Sequence, residues 1–341
     1  MKNAIMVLAV LATLSSIAGA DVVLLGYAPY WQDIPAEAGA MGMAGAWSAV
    51  LRGPEAAHWN PAVPLEGIDA TASWSRISER EILMSVNRWT GALSVEGRRV
   101  RLSLIHDRTA LGPYTTHLPY DPESGQEIRS FDTTNILSVS GDVSPLVTLG
   151  LGLRRVEHGF SGTEPERDES SYASLGLDLG VSLGREGESS TASWGWRTSA
   201  AWINGVPILA DDEMEPVKDL KLGVAWSLGV GESGETERPL RLLMACDWTR
   251  SSTEVQGDDE WERRLGVEGL LYGTLALRVG TVDQDHEPFV VSSTWGVGLV
   301  LDRLIDGTVI RMDYAHAKID AFFIYDEDVQ HYLGITVGRV F

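Results

Sequence analysis

Apolar residues alternate with polar or small residues along most of the chain, from about residue 68 to the carboxy terminus. In residues 172–183, one set of alternate positions holds alanine, leucine and valine, whereas the other holds mostly glycine, serine and aspartate. Residues 220–230 and 291–301 repeat this pattern. Because successive side chains of a β-strand point to opposite faces, a period of two predicts strands.

The residues on the polar face of these predicted strands distinguish a membrane barrel from a soluble sheet. A soluble sheet typically turns lysine, glutamate and threonine towards water, but here the second face is mainly glycine, serine, alanine and threonine with scattered aspartate and arginine. Such a face is typical of a barrel lumen, with the apolar face turned to lipid. A soluble β-sandwich is the alternative that the period alone would also allow.

The predicted connections alternate between short and long, as in outer-membrane barrels with short periplasmic turns and long outer loops. The count is 14 strands, so the sequence predicts an all-β fold: a transmembrane antiparallel up-and-down β-barrel over residues 68–341. Several of the 12 tryptophans lie near predicted strand ends, which suits interfacial aromatic girdles. The long loops are predicted at 107–132, 158–171, 203–218, 250–260, 282–290 and 316–329, and the short links at 184–191, 231–238, 271–273 and 303–306.

Both ends of the chain carry features of an exported barrel. Residues 1–20 are predicted to be a signal peptide, because Lys2 precedes an apolar run that ends in Ala18-Gly19-Ala20. The last strand alternates and closes on an aromatic residue, the pattern read by the outer-membrane assembly machinery; its residues are Tyr332, Leu333, Ile335, Val337 and Phe341. We therefore expect a cell outer-membrane protein whose partners are the lipid bilayer and that machinery.

The net charge narrows the possible partners, and the cysteine content excludes a disulfide framework. The formal net charge of −21 argues against nucleic acid and against anionic lipid headgroups as partners. The single cysteine, Cys246, excludes an intrachain disulfide framework and is expected to be an apolar, buried or lipid-facing residue.

Residues 39–62, before the first predicted strand, are rich in glycine and alanine and show neither a helical nor a strand period. They resemble the amino-terminal signature of the FadL-like outer-membrane proteins, most closely their PorV/PorQ branch. The resemblance implies that residues 21–67 form a hatch, or plug, in the lumen; a flexible periplasmic lead-in is the alternative. The matching residues are Gly42, Met43, Gly45, Ala46, Trp59, Asn60, Pro61 and Ala62, and Ala44 stands where the signature often has glycine.

No catalytic or cofactor motif is found. None of the 7 histidines lies in a Gly-x-Ser-x-Gly elbow or a His-Glu-x-x-His pair, so no enzyme, cofactor or metal site is predicted. Acidic clusters fall on the predicted outer loops, where they either hold a divalent cation or are simply solvated. These clusters are 211–213, 258–260, 283–287 and 326–328.

Two functions follow from the resemblance. FadL-like barrels imply passive transport of hydrophobic small molecules past a hatch, with possible exit through the barrel wall. Residues 111–118, placed in a predicted outer loop, are a candidate capture site on that interpretation. PorV-type proteins instead imply docking of secreted proteins in type IX secretion, and a purely structural barrel is a third possibility.

Overall fold

The structure is a computed structural model of the chain. It describes residues 37–65, 70–80, 85–97, 99–118, 121–162, 170–210, 218–231, 239–252, 260–284, 289–305, 308–321 and 328–339. The predicted signal peptide, the acidic residues 211–213 and 258–259, and Phe341 lie outside these ranges.

The described strands form one closed antiparallel barrel in which each strand pairs with its neighbours in sequence and β1 pairs with β14. This confirms the predicted fold class and the count of 14 strands. The strands are β1 Ala70–Arg80, β2 Ser85–Glu96, β3 Val100–Leu118, β4 Asp121–Ser144, β5 Val147–Gly162, β6 Ser170–Glu188, β7 Ala192–Ala210, β8 Lys218–Val230, β9 Leu240–Ser252, β10 Glu260–Leu271, β11 Leu275–Gln284, β12 Phe289–Ile305, β13 Thr308–Ala321 and β14 Asp328–Arg339.

The two faces of the wall differ in chemistry, as their alternation predicts. On β6, Leu179 and Leu183 point outwards and are about two-fifths exposed, whereas Asp178 and Ser182 point inwards and are buried. The same division holds around the described wall, with aliphatic and tryptophan side chains outside and serine, threonine, glycine and paired charges inside. This is the polarity of a barrel whose outer surface contacts lipid.

Several strands extend well beyond the predicted boundaries. The predicted loop 107–132 is almost entirely strand, because β3 runs to Leu118 and β4 begins at Asp121. The prediction that residues 111–118 form an outer loop is therefore wrong. The link predicted to be short at 231–238 is one of the longer breaks between strands.

A second body of chain, residues 37–65, lies inside the barrel; we call it the inner segment. It contains one turn of helix, α1 (Ala38–Met41), and a 3₁₀ helix (Pro54–His58). Its alanine, methionine and tryptophan side chains pack against inward-facing wall residues such as Leu243, Ile105 and Tyr332 to form three small apolar clusters. In the described part of the chain, no helix has the length and apolar character needed to cross a membrane.

The last strand divides the predicted assembly residues between two faces. Leu333, Ile335 and Val337 point outwards and are about half exposed. Tyr332 points into the lumen and is fully buried against Ala38 and Met41 of α1. Tyr332 is therefore not on the outward surface that these aliphatic residues share.

Candidate functional site: the inner segment and the lumen wall

The inner segment is held by the barrel wall at successive points around the lumen. The Ala44 amide donates to Thr294 Oγ1 on β12 at 3.0 Å. The Trp47 and Ser48 amides both donate to Asp247 Oδ2 on β9, at 2.9 and 2.7 Å. On the far side of the lumen, Ser140 Oγ on β4 donates to the Val63 carbonyl at 2.6 Å. The segment thus crosses the lumen and is bonded to opposite walls.

The Gly-Met-Ala part of the signature fits a depression in the wall made by glycine. Gly266 on β10 and Gly280 on β11 are paired across the two strands. A Cβ atom on Gly266 would lie 2.6 Å from Met43 Cβ, and one on Gly280 would lie 2.5 Å from the Ala44 amide nitrogen. Only glycine at these wall positions lets the segment backbone approach so closely.

The backbone of Ala44 has a conformation that favours glycine. Its φ is +54°, in the left-handed region that costs a residue with a Cβ roughly 1–2 kcal/mol. The following Gly45 also has a positive φ, of 77°. The turn after α1 therefore requires two successive left-handed residues, and glycine satisfies only one of them here.

The Asn-Pro-Ala element fits a second glycine depression. Gly150 on β5 and Gly180 on β6 are paired, and both face the lumen. A Cβ atom on Gly150 would overlap the Pro61 carbonyl group, and one on Gly180 would lie 2.9 Å from the Ala62 amide nitrogen. Asn60 Oδ1 accepts a hydrogen bond from the Ala62 amide at 2.8 Å, which closes the turn that Pro61 begins.

Trp59, the aromatic residue of the signature, is buried at the centre of the lumen. Its indole Nε1 donates to Glu37 Oε2 at 3.2 Å. The Lys221 ammonium and the Arg264 guanidinium lie over its ring, 4.8 and 5.4 Å from the ring centroid. Trp59 therefore joins the two ends of the inner segment and contacts cations from two wall strands.

The inward wall carries buried charges in pairs. Arg88 on β2 binds Asp107 on β3 through Nε and Nη2, and Thr90 donates to the same carboxylate at 2.9 Å. Arg278 on β11 contacts both Glu268 and Asp313, at 2.7 Å each. A lumen lined in this way is polar, although the inner segment fills it partly with apolar side chains.

Two further arginines connect wall and segment. Arg52 of the segment bonds Glu268 on β10 at 3.0 Å. Arg154 on β5 donates to Asp178 on β6 and to the His58 carbonyl, both at 2.9 Å. Each arginine therefore links the barrel wall to the inner segment.

Burial shifts the pKa of ionisable groups in the inner segment. Burial raises the pKa of Glu37 to about 7, and the Trp59 hydrogen bond opposes this only in part. Burial, followed by the nearby Glu37 carboxyl, also raises the pKa of Glu55. Burial and the positive charge of Arg154 lower the pKa of His58 to about 3, so the imidazole is neutral near pH 7.

The wall itself is irregular between β6 and β7, next to the Asn-Pro-Ala element. Leu177 pairs with Val206 and Leu179 pairs with Trp202, so three residues of β7 face the single residue Asp178. The middle one, Asn204, has a φ of +50° and donates its amide to Asp178 Oδ1 at 2.8 Å. At this β-bulge Ile203, Asn204 and Gly205 are all buried, and the Asp178 carboxylate accepts the amide of the middle residue.

The histidines are divided between the lumen and the outer surface. His158 on β5 bonds Asp132 in the lumen wall, while His106, His316 and His331 face outwards. Among the residues that the structure describes, no three histidine, cysteine, aspartate or glutamate side chains converge as a metal site would require.

The wall glycines are the site residues that sequence reasoning did not identify. Gly150, Gly180, Gly266 and Gly280 stand at alternate positions in their strands, where the sequence pattern predicts only a lumen face rich in small residues. A glycine at an inward position is the one available signal, but its cross-strand pairing depends on a register that the sequence does not specify.

No protein-family model matches this sequence, and no curated protein does either. Among solved structures, the chain is similar to the toluene transporter TodX of Pseudomonas putida, with 11% identity and a TM-score of 0.52 over 95% of this chain and 100% of that one. A mutant of TodX, described as a monoaromatic hydrocarbon channel, gives 11% identity and a TM-score of 0.57 over 89% of this chain and 99% of that one. A FadL homologue of Pseudomonas aeruginosa gives 12% identity and a TM-score of 0.45, over 89% and 98% of the two chains. The first two likenesses show that the chain shares the barrel fold of TodX.

Proposed function

We propose that this protein is an outer-membrane channel for the passive passage of hydrophobic small molecules, with the inner segment as its plug. The observation that carries the proposal is a closed barrel whose lumen is crossed by a segment seated in two glycine depressions. The fold, shared with a protein described as a toluene transporter, supports the same substrate class.

The charge of the lumen bears on the route. An apolar molecule that moved along the barrel axis would pass the ion pairs Arg88–Asp107 and Arg154–Asp178, both nearly fully buried. Displacing their partners without replacing the hydrogen bonds costs several kcal/mol, about 3–5 for a broken buried pair. A route that leaves the lumen through the wall avoids the lower part of this polar path.

The β6–β7 bulge is the place in the described wall that we assign to such an exit. The outward residues of β7 beside it are apolar and exposed, namely Val206, Ile208 and Leu209. A molecule leaving there would enter hydrocarbon directly. The exit would require the Asp178 carboxylate to release the Asn204 amide, which couples wall opening to Arg154 and so to the inner segment.

The test is uptake of radiolabelled toluene by cells that produce the protein, compared with cells that lack it. In a Cys246→Ala background, Leu177→Cys with Val206→Cys places a cross-strand disulfide beside the bulge, and Leu183→Cys with Thr198→Cys places one elsewhere on the same strand pair. We expect oxidation to abolish uptake only in the first variant and reduction to restore it.

The outcomes separate the function from the route. Equal uptake with and without the protein would contradict the transport function. Uptake that survives the Leu177–Val206 disulfide would leave transport standing and exclude the β6–β7 exit. No contact among the described residues favours the docking role implied by the PorV/PorQ resemblance. That role would be favoured if cells that lack the protein lost a secreted surface protein but took up toluene as fast as cells that produce it.

A further inference from the structure

A row of cationic and aromatic side chains runs across the outward face of neighbouring strands. Arg76 on β1 is the direct cross-strand partner of Trp89 on β2, and Trp89 is the partner of Arg108 on β3. His106, two residues before Arg108, packs on Trp89 with 4.8 Å between ring centroids. Arg108 also lies over the Phe131 ring of β4, at 5.1 Å.

The row continues in the other direction onto β14, β13 and β12. Arg76 pairs with Leu333, and His331 is the next outward residue on that strand. His331 pairs with His316 on β13, and His316 stacks on Trp295 of β12 at 5.2 Å. We call this set the outer belt; its members are Arg76, Trp89, His106, Arg108, His316 and His331.

The charges of the outer belt are of one sign. The described outward-facing side chains of β13, β14 and β1–β4 include Arg76, Arg108 and Lys318 but no carboxylate. Asp107 and Asp313, whose side chains the structure describes, face the lumen and bind arginines there. Among the side chains that the structure describes on these strands, the outward charges are therefore cationic, although the net charge of the chain is −21.

The outer belt also lies at a defined depth along the barrel. On β14 the outward residues Val337, Ile335 and Leu333 are apolar, and His331 follows them towards the 322–327 end of the barrel. The outer belt therefore begins where the apolar outward residues of β14 end, and its tryptophan ring is of the kind that is enriched at the level of the headgroups.

We propose that the outer belt binds the phosphorylated headgroup of an outer-leaflet lipid. Guanidinium groups are opposite in charge to phosphate and bind its oxygens in a bidentate geometry. Tryptophan rings are enriched at the depth of the headgroups. Arg76 is exposed and has no carboxylate within ion-pair distance among the described residues, so its guanidinium is available to a phosphate. The expectation from net charge does not weigh against this proposal, because the barrel separates described inward carboxylates from described outward cations.

The experiment is native mass spectrometry of the full-length barrel in detergent, titrated with diphosphorylated lipid A and, separately, with its dephosphorylated form. We expect the phosphorylated lipid alone to bind, and Arg76→Gln and Arg108→Gln each to weaken binding by about tenfold, as for the loss of one charge-assisted hydrogen bond. Arg263→Gln is the matched control, since Arg263 is an exposed outward arginine on β10 that lies 3.9 Å from Asp283.

Three results would overturn the proposal. The first is equal binding of the two lipids, because the phosphate would then make no contribution. The second is an equal loss in Arg263→Gln, which would indicate general attraction to any surface arginine. The third is a protein dimer that persists without phosphorylated lipid and dissociates in Arg76→Gln, which would make the belt a contact between two copies of the chain. Unchanged heat-modified mobility on gels checks that each variant is still a folded barrel.

Discussion

Gly150→Ala tests how the inner segment is seated in the barrel. The new Cβ would overlap the Pro61 carbonyl group, and the backbone there cannot move away without leaving the depression formed with Gly180. Gly334→Ala is the matched control, because that glycine also faces the inner segment but its Cβ would lie 3.5 Å from Ala38 Cβ, an ordinary contact.

The magnitude follows from the bonds that hold this part of the segment. Displacement of residues 58–63 breaks the bond from Ser140 to the Val63 carbonyl, the bond from Arg154 to the His58 carbonyl and the weaker bond from Asn60 to the Ala200 carbonyl. At about 1 kcal/mol for a neutral bond and up to about 3 for one to a charged group, the loss is about 3 kcal/mol. That corresponds to roughly a hundredfold larger population of the undocked segment.

Hydrogen exchange of the purified barrel measures that population directly, since protection reports the free energy of local opening. In Gly150→Ala we expect the amides of Trp59, Asn60, Ala62 and Val63 to lose about two orders of magnitude of protection while the strand amides keep theirs. Equal protection in Gly150→Ala and Gly334→Ala would refute the seating that we describe. Global loss of strand protection would show that the glycine acts on the barrel and not on the segment.

Three further predictions concern single contacts. Ala44→Gly should stabilise the segment by about 1 kcal/mol, because it relieves a left-handed alanine, whereas Ala46→Gly should not; protection of the segment amides in hydrogen exchange compares them. Arg154→Gln should lower stability by about 3 kcal/mol because it leaves the Asp178 carboxylate buried and unpaired, and adding Asp178→Asn should recover part of the loss in thermal melting. Because the folded state raises the pKa of Glu37 from 4.5 to about 7, it binds the proton more tightly than the unfolded state, so stability should fall as pH rises from about 4.5 to 7; Glu37→Gln should flatten this part of the melting profile.

The period of two was sufficient to predict the membrane-facing part of the barrel. Where the wall meets lipid on one side and the lumen on the other, every strand must alternate, and the count of 14 strands follows. Beyond the membrane this constraint disappears. The end of β3 and the start of β4 are polar and irregular in sequence, yet their backbones remain paired as far as Leu118 and Asp121. The pattern therefore marks where lipid contact ends, and hydrogen-bonded strand continues past it.

The seating of the inner segment could be predicted only in part. The resemblance implied a plug over residues 21–67, of which the structure describes 37–65, but the surfaces that receive the segment come from strands distant in sequence. Gly150 and Gly180 form one depression only because β5 and β6 pair in a register that places them opposite each other. A shift of one residue between β5 and β6 would turn one of the two glycines to the lipid face, so the depression depends on the register and not on the composition.

The net charge of the chain likewise predicts only part of its surface chemistry. A net charge predicts the partners of a protein only if its ionised groups share one solvent, and a barrel wall provides at least two separate environments. Asp107 and Arg108 are neighbours in sequence, yet Asp107 bonds Arg88 in the lumen while Arg108 stands in the outer belt over Phe131. Each environment has to balance its own charges, because an inward carboxylate cannot reach an outward guanidinium through the sheet. The lumen pairs Asp107 with Arg88, and in the part of the chain that the structure describes the outward Arg76 and Arg108 have no carboxylate partner.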